Sequence, residues 1–429
     1  TLARCRELYN AGLAERKEAY RMAGKSISYY EQQRDLPEIK NVLREEYQQI
    51  HSQVLQDVLL RLDRAFKAFF RRVANGEKPG YPPFQGRNRY HSFTYPQGGY
   101  TLSEKRVTRS KIGSIKIKLH RPIEGTVKTC TITYEAGQWY AVFSCECEAR
   151  QLLPVSEEEV GIDLGLLHFA ALWDGTFINN PRYSRKTEKT LEKRQQVLSR
   201  KKRGSHRREK ARRQVAKAHR KIRNQRRDFL HKQAKRLVER YQTIVFEDVQ
   251  TEHLVKRPKA KQDENGKYLP NGASAKAGLN KSILDAGWAM FVDVCSFKAA
   301  CAGRNVVKVN PYKTSQICSA CLRECPHKEL DVRTHVCIHC GVVLDRDTNA
   351  ARNILRLGRS QRGTTCVEAP CRKAAGTSLN TSIYNEEDRA DNGQQDADAD
   401  EDEEDGAARC APVGTGTVRA AGLRGSGRW

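Results

Sequence analysis

The chain has 429 residues, enough for two or three domains that each bury a core. Its formal charge of +26 with 38% apolar residues disfavours self-association and favours a polyanionic partner, nucleic acid first and an anionic membrane surface second. No run of about 18 apolar residues occurs, which argues against a membrane span; fourteen cysteines in a charge-rich chain without a visible secretion signal argue for a reducing cytoplasm over a disulfide framework.

Residues 1–79 read as helical. In the stretch "REEYQQIHSQVLQDVLLRLDRAFKAFFRRVANG" Val54, Val58, Leu59, Leu62 and Phe66 form one apolar stripe, and Gly76 is the expected stop. Residues 80–157 change character. The segment "KPGYPPFQGRNRYHSFTYPQGGY" interleaves Arg87, Arg89, Tyr90, Phe93 and Tyr95. Such mixing of cations and rings suits phosphate contact with base stacking, and it equally suits aromatics plugging a barrel end. The alternation after it predicts strands, with a hairpin turning at Ala136-Gly137 and a small β-barrel as the closure.

Residues 158–184 hold "EVGIDLGLLHFAALWDG", an apolar strand carrying Asp163, with a second strand expected after Gly165. Residues 185–240 follow as a basic helical tract, with twenty Lys/Arg against three acids from Arg185 to Arg227. Val215, Ala218, Ile222, Phe229, Leu230 and Leu237 make a thin apolar stripe, leaving Arg207, Arg208, Arg212, Arg213, Arg220, Lys221 and Arg226 among the cations for phosphates. "TIVFEDVQ" is a buried-strand pattern ending in Glu247 and Asp248; residues 256–281 read as a polar loop; "SILDAGWAMFVDVCSFKAACAG" reads as one amphipathic helix. Beyond Arg362 the pattern is lost. Glu386 to Asp405 hold twelve acids and one arginine, and this block with its Gly-rich sequel is expected to be disordered.

Cys318-x-x-Cys321 and Cys337-x-x-Cys340, fifteen residues apart, have zinc-ribbon spacing. Four thiolates saturate one Zn²⁺, so this site is structural; Cys325, His327, His335 and His339 read as bystanders, and the chemistry must lie elsewhere. Three acids stand out by context. Asp163 sits in an apolar strand, Glu247 ends another, and Asp347 opens the helix "DTNAARNIL", sharing its inward face with Ala351 and Ile354. Singly, Asp163 is also readable as a turn residue, Glu247 or Asp248 as a strand end, and Asp347 or Asp345 as a helix cap. Together they are the set an RNase H-like fold uses to hold two Mg²⁺ ions for in-line phosphodiester displacement.

The segments "GIDLGLLHFAAL", "IVFEDVQ", "SILDAGWAMF", "PYKTSQICSACL" and "CIHCGVVLDRDTNAARNIL", in this order, resemble the OrfB/TnpB family of insertion-sequence proteins, relatives of the type V CRISPR effectors. The resemblance spans residues 1 to 360 and implies an α/β and α+β multidomain protein. A helical recognition lobe (1–79) and a wedge-type β-barrel (80–157) would precede a RuvC-like nuclease of RNase H fold (158–314 and 343–362). A zinc ribbon (315–342) is inserted in that nuclease, and 363–429 form the tail. It implies Asp163, Glu247 and Asp347 as the catalytic acids, the four cysteines as ribbon ligands, and a guide RNA from the mobile element with target DNA as partners. The implied activity is RNA-guided DNA cutting in the cytoplasm, at the nucleoid when DNA-bound. A guide- or DNA-binding regulator that does not cut, and a transposase acting directly on DNA ends, are the alternatives. The family also implies a strand and basic segment ahead of "CRELYN" that the sequence given does not include.

Overall fold

A computed structural model describes residues 1–364 apart from 88, 120–121, 148–151, 328 and 330, together with Thr417–Ala421. The acidic block lies outside the described residues. The described residues form two compact units, residues 1–147 with Thr417–Ala421, and residues 152–364.

The first unit begins with α1 (Leu2–Ala23), α2 (Tyr29–Glu38) and α3 (Ser52–Ala74). A reciprocal capping box between Ser28 and Glu31 starts α2. The α3 stripe is buried as its spacing requires, and the helix stops two residues before Gly76, which has φ 67°. Six strands follow: β1 (Ser92–Tyr95), β2 (Tyr100–Leu102), β3 (Arg106–Arg109), β4 (Gly113–Lys116), β5 (Thr126–Glu135) and β6 (Gln138–Glu146). Ala136 and Gly137 turn the β5–β6 hairpin with φ 49° and 85°, the left-handed pair that matches strand twist.

Among the described residues the strands do not close into the expected barrel. They make a sheet led by β1-β5-β6 and a separate β2-β3-β4 sheet. Helices cover the sheet face. Leu59 and Leu62 of α3 share one core with Phe93, Tyr95, Ile132 and Phe143. Arg61 of α3 also donates to Asp57 Oδ2 at 2.8 Å, to the Ser92 carbonyl at 2.9 Å and to Thr94 Oγ1 at 2.6 Å. The helical and strand segments divided by sequence at residue 79 therefore share a single core.

The second unit is built on β7 (Glu159–Leu164), β8 (His168–Leu172) and β9 (Phe177–Asn179), then α4 (Tyr183–Ser199), α5 (His206–Arg240) and β10 (Thr243–Glu247). After β10 come α6 (Thr251–Leu254), β11 (Lys261–Gln262), β12 (Tyr268–Leu269), α7 (Ala273–Ala286), α8 (Trp288–Ala302) and β13 (Asn305–Val309). The knuckle hairpin β14 (Thr334–Val336) and β15 (Val343–Asp345) leads into α9 (Arg346–Thr364). The sheet order is β13-β10-β7-β8-β9, with β7, β10 and β13 parallel and β8 antiparallel to both its neighbours.

Phe169 of β8 packs with Leu230 and Leu237 of α5 and Phe291 of α8, while Val245 of β10 and Val309 of β13 pack with Ile354 and Leu355 of α9. Gly161 permits the close approach of α9, because a Cβ there would stand 2.2 Å from the Ala351 carbonyl oxygen. Two sequence expectations change. The basic tract breaks into a helical hairpin at Gly204 (φ 80°), and Ser205 caps α5 by accepting the Arg208 N–H. The helix expected from Ser282 onward breaks at Gly287 (φ 71°), and α7 begins back at Ala273, inside the expected loop. The last described strand, β16 (Thr417–Ala421), returns to the first unit and pairs antiparallel with β6.

Candidate carboxylate site and cysteine knuckle

Asp163 lies on β7, Glu247 at the end of β10, and Asp347 in the first turn of α9. Parallel pairing of β7 with β10 sets the first two on neighbouring strands, and α9 packs on β7. Burial first, then the charges of Glu247 and Asp347, push the Asp163 carboxyl well above its ordinary range. Burial also raises Glu247, opposed by a hydrogen bond from the Thr314 hydroxyl to its Oε1. Asp347 is raised by burial and by Asp345, and lowered by Arg333, Arg346 and His168. Asp163 thus feels the charges of two acids that lie 84 and 184 residues further along the sequence.

Local structure separates the competing acids. Asp345 is the helix cap: its Oδ1 accepts the N–H groups of Asp347 at 3.0 Å and Thr348 at 2.9 Å. Asp347 is thereby left uncommitted to capping, and Arg333 Nη1 stands 3.8 Å from its Oδ1. Asp248 instead accepts from Gln250 at 3.2 Å and pairs loosely with Lys308 at 3.9 Å.

The four ribbon cysteines come together. Their sulfurs lie within 4.8 Å of one another, with Cys318–Cys340 at 3.8 Å and Cys321–Cys337 at 3.5 Å. Tetrahedral Zn–S bonds of about 2.3 Å place sulfurs about 3.8 Å apart, so the set could hold one zinc ion. Burial opposes ionisation of Cys337, but the N–H groups of His339 and Cys340 and the neighbouring thiols bring it down to about 6. Cys325 and His335 are buried beside this set, 4.0 Å apart, and do not belong to it. Among the described residues the three carboxylates do not close into so tight a group.

The knuckle is tied to α9 by residues the sequence reading missed. Asn349 Oδ1 accepts the Ser319 N–H at 2.8 Å, and Asn349 Nδ2 donates to the Ile317 carbonyl at 2.8 Å. Asn353 Nδ2 donates to the Thr314 carbonyl at 2.9 Å and to the Ile317 carbonyl at 2.7 Å. Two amides four residues apart on the buried face of an Ala/Ile helix are the signal that was available, since buried amides require partners.

Comparison with known proteins decides the family. The chain is 33% identical over 358 residues to "Putative RNA-guided DNA endonuclease InsQ" of Escherichia coli (strain K12), covering 83% of this chain and 87% of that one. It is 32% identical over 360 residues to "Putative RNA-guided DNA endonuclease" of Streptomyces pristinaespiralis, covering 82% and 83%. A family profile described as "Probable transposase" (OrfB_IS605) matches residues 142–257, and one described as "Cas12f1-like, TNB domain" matches 288–354. The chain belongs to the OrfB/TnpB family. A solved Cas12f1–sgRNA–target DNA complex overlays 82% of this chain and 92% of its own at 13% identity, with a TM-score of 0.32.

In this OrfB/TnpB protein the expected nucleic-acid residues divide. Arg87, Arg89, Arg207, Arg212, Arg213 and Lys221 are exposed, and Arg208 and Arg220 are half-buried. Arg208 caps the hairpin turn by donating to the Leu198 and Lys201 carbonyls. Arg226 is a structural tie, paired with buried Asp285 at 3.1 Å. Phe93 and Tyr95 are 3% and 1% exposed, so their rings are closed to base stacking. The alternation of β1 turns both inward while Ser92 and Thr94 stay partly exposed. Tyr90 is half-buried, its ring 6.2 Å from Tyr9. Among the described residues no helix is long and apolar enough to cross a membrane.

Proposed function

We propose that this protein is an RNA-guided DNA endonuclease of mobile-element origin, hydrolysing phosphodiesters at a RuvC-type site of Asp163, Glu247 and Asp347. The observation that carries the reading is the placement of three acids on two neighbouring strands and one helix start, where Glu247 and Asp347 both push the buried Asp163 carboxyl upward. The strand order β13-β10-β7-β8-β9 supports an RNase H-like assignment, since it sets the first and fourth strands side by side with the last helix across them. The names of two relatives matched over most of their length support the guided activity.

The donor set suits hard divalent cations. It is all carboxylate oxygen, and its members resist ionising together without a neutralising charge. Mg²⁺, two ions in this reading, supplies charge neutralisation at the reacting phosphate. The chain's own residues do the positioning. Thr314 orients Glu247, Asp345 takes the capping role so that Asp347 can serve as a ligand, and Arg333 offers a cation beside Asp347. The cysteine knuckle, with one structural Zn²⁺, fixes the start of α9 through Asn349 and Asn353. Exposed cations of α4 and α5, with Arg87 and Arg89, hold guide and target backbones. Glu247→Gln tests the assignment: cutting should vanish while guide RNA remains bound. Loss of both would point to a structural role for Glu247.

A further inference from the structure

A cavity of about 450 Å³ is lined by Leu166, Asn180, Arg182, Arg185, Ser282 and Asp285. Its wall begins at the β7–β8 turn. Leu166 follows Gly165, and a Cβ on Gly165 would stand 3.9 Å from Asp347 Oδ2. The β7–β8 turn thus reaches Asp347 through Gly165 and lines the cavity through Leu166.

Its charge balance is cationic. Asp285, the one acid in the lining, is already satisfied: Oδ1 takes Arg226 at 3.1 Å and Oδ2 takes the Ser184 N–H at 3.0 Å. That leaves the guanidiniums of Arg182 and Arg185. Arg185 reaches across to the Gly278 carbonyl and Ser282 Oγ, each at 3.3 Å, and contacts Glu188 at 3.4 Å. Arg182 donates only to a neutral group, the Leu166 carbonyl at 3.2 Å.

The backbone of Arg182 is costly. It sits at φ 49°, ψ 52°, a left-handed conformation that a long side chain disfavours. Asn180 holds it there from both ends, accepting the Arg182 N–H at 3.2 Å and donating to the Leu166 carbonyl at 3.1 Å. A glycine would meet the backbone requirement without strain. An arginine in that conformation on the lining of a cationic cavity calls for a role for its guanidinium.

We propose that this cavity receives a backbone phosphate of the strand being cut, with Arg182 as a positioning residue and Arg185 and Ser282 as its supports. A diester carries a single negative charge, which Arg182 matches while Glu188 faces Arg185, and Arg forks suit phosphate oxygens. The inference rests on the nuclease reading and adds a subsite to it.

The test uses the full chain with its guide RNA and a matched DNA duplex in Mg²⁺, read by single-turnover cutting. Arg182→Ala should slow cutting about tenfold, the loss expected for one charge-assisted contact. Target binding should stay within about twofold, and Arg182→Lys should recover most of the rate. A scan of neutral methylphosphonates near the cut should reveal one position that slows the wild type about tenfold and adds nothing in Arg182→Ala. Wild-type cutting rates in Arg182→Ala, or identical scans in both proteins, would overturn the proposal. If the wild type does not cut, the nuclease reading fails instead. The cavity is then judged by binding of ten-nucleotide DNA and RNA strands in Ca²⁺: weaker binding by Arg182→Ala supports it, equal binding removes it, and the better-bound strand identifies the source of the phosphate.

Discussion

The side chain of Asn349 accepts the backbone N–H of Ser319 at 2.8 Å, joining the helix that carries Asp347 to the first turn of the cysteine knuckle. The cysteine knuckle and the position of Asp347 are therefore mechanically linked. Asn349→Ala leaves the Ser319 N–H and one bond to the Ile317 carbonyl unmade at a buried position, a loss of about 1–3 kcal/mol. A lower melting temperature with one zinc retained per chain is expected. Loss of zinc together with stability would place Asn349 in the metal site itself.

Removing the metal should act through the same link. With Cys318→Ser the knuckle loses a ligand, and its small core, built around the cysteines, cannot hold the hairpin. Cutting should fall sharply while guide RNA binding persists, since the exposed cations of α4 and α5 lie on other elements. Zinc content and RNA retention measured on one sample separate the two effects.

Thr314 sets the ionisation of Glu247. Its hydroxyl hydrogen-bonds the carboxylate and so opposes the upward push of burial. Thr314→Val removes a bond to the charged form, so the Glu247 pKa rises further. The acid limb of the pH–rate profile should move to higher pH, with a smaller change on the plateau. An unmoved acid limb would show that Glu247 does not limit the rate on that side.

The clustered acids also predict a pH signature in stability. Asp163 and Asp347 are raised in the folded chain, so the folded state binds their protons more tightly than the unfolded state. Without divalent metal, their contribution to stability is fully present below the unfolded value of about 4 and is lost as pH rises through the folded values. Asp163→Asn should raise the metal-free melting temperature at pH 7 by about 2–4 °C, and the gain should shrink toward pH 4. Mg²⁺ should stabilise the wild type more than the variant. A metal-free variant less stable than the wild type at pH 7 would contradict the repulsion argument.

Much of this was legible because the signals are local. The α3 stripe, the Ala136-Gly137 turn, the cysteine spacing and the apolar strands around Asp163 and Glu247 each follow from periodicity or turn chemistry. What was missed depends on partners distant in sequence. Arg226 looks like one more cation until Asp285 arrives from α7, and Phe93 and Tyr95 look like stacking rings until α3 covers them. The closure of the strands, not seen among the described residues, was illegible too, since alternation shows that a strand has an inner face but not which element fills it. Asp345 and Asp347 are two candidate caps in sequence, and only hydrogen-bond geometry gives the cap to Asp345.

The most direct test is cleavage of a matched DNA duplex with a randomised flank by the protein co-purified with RNA from its own locus, with Mg²⁺ or with EDTA. Cuts that require both guide and Mg²⁺, and that disappear in Asp163→Ala with the RNA still bound, are the predicted result. RNA retained by the wild type with no cutting under any divalent metal would contradict it and leave a guide-binding regulator in its place.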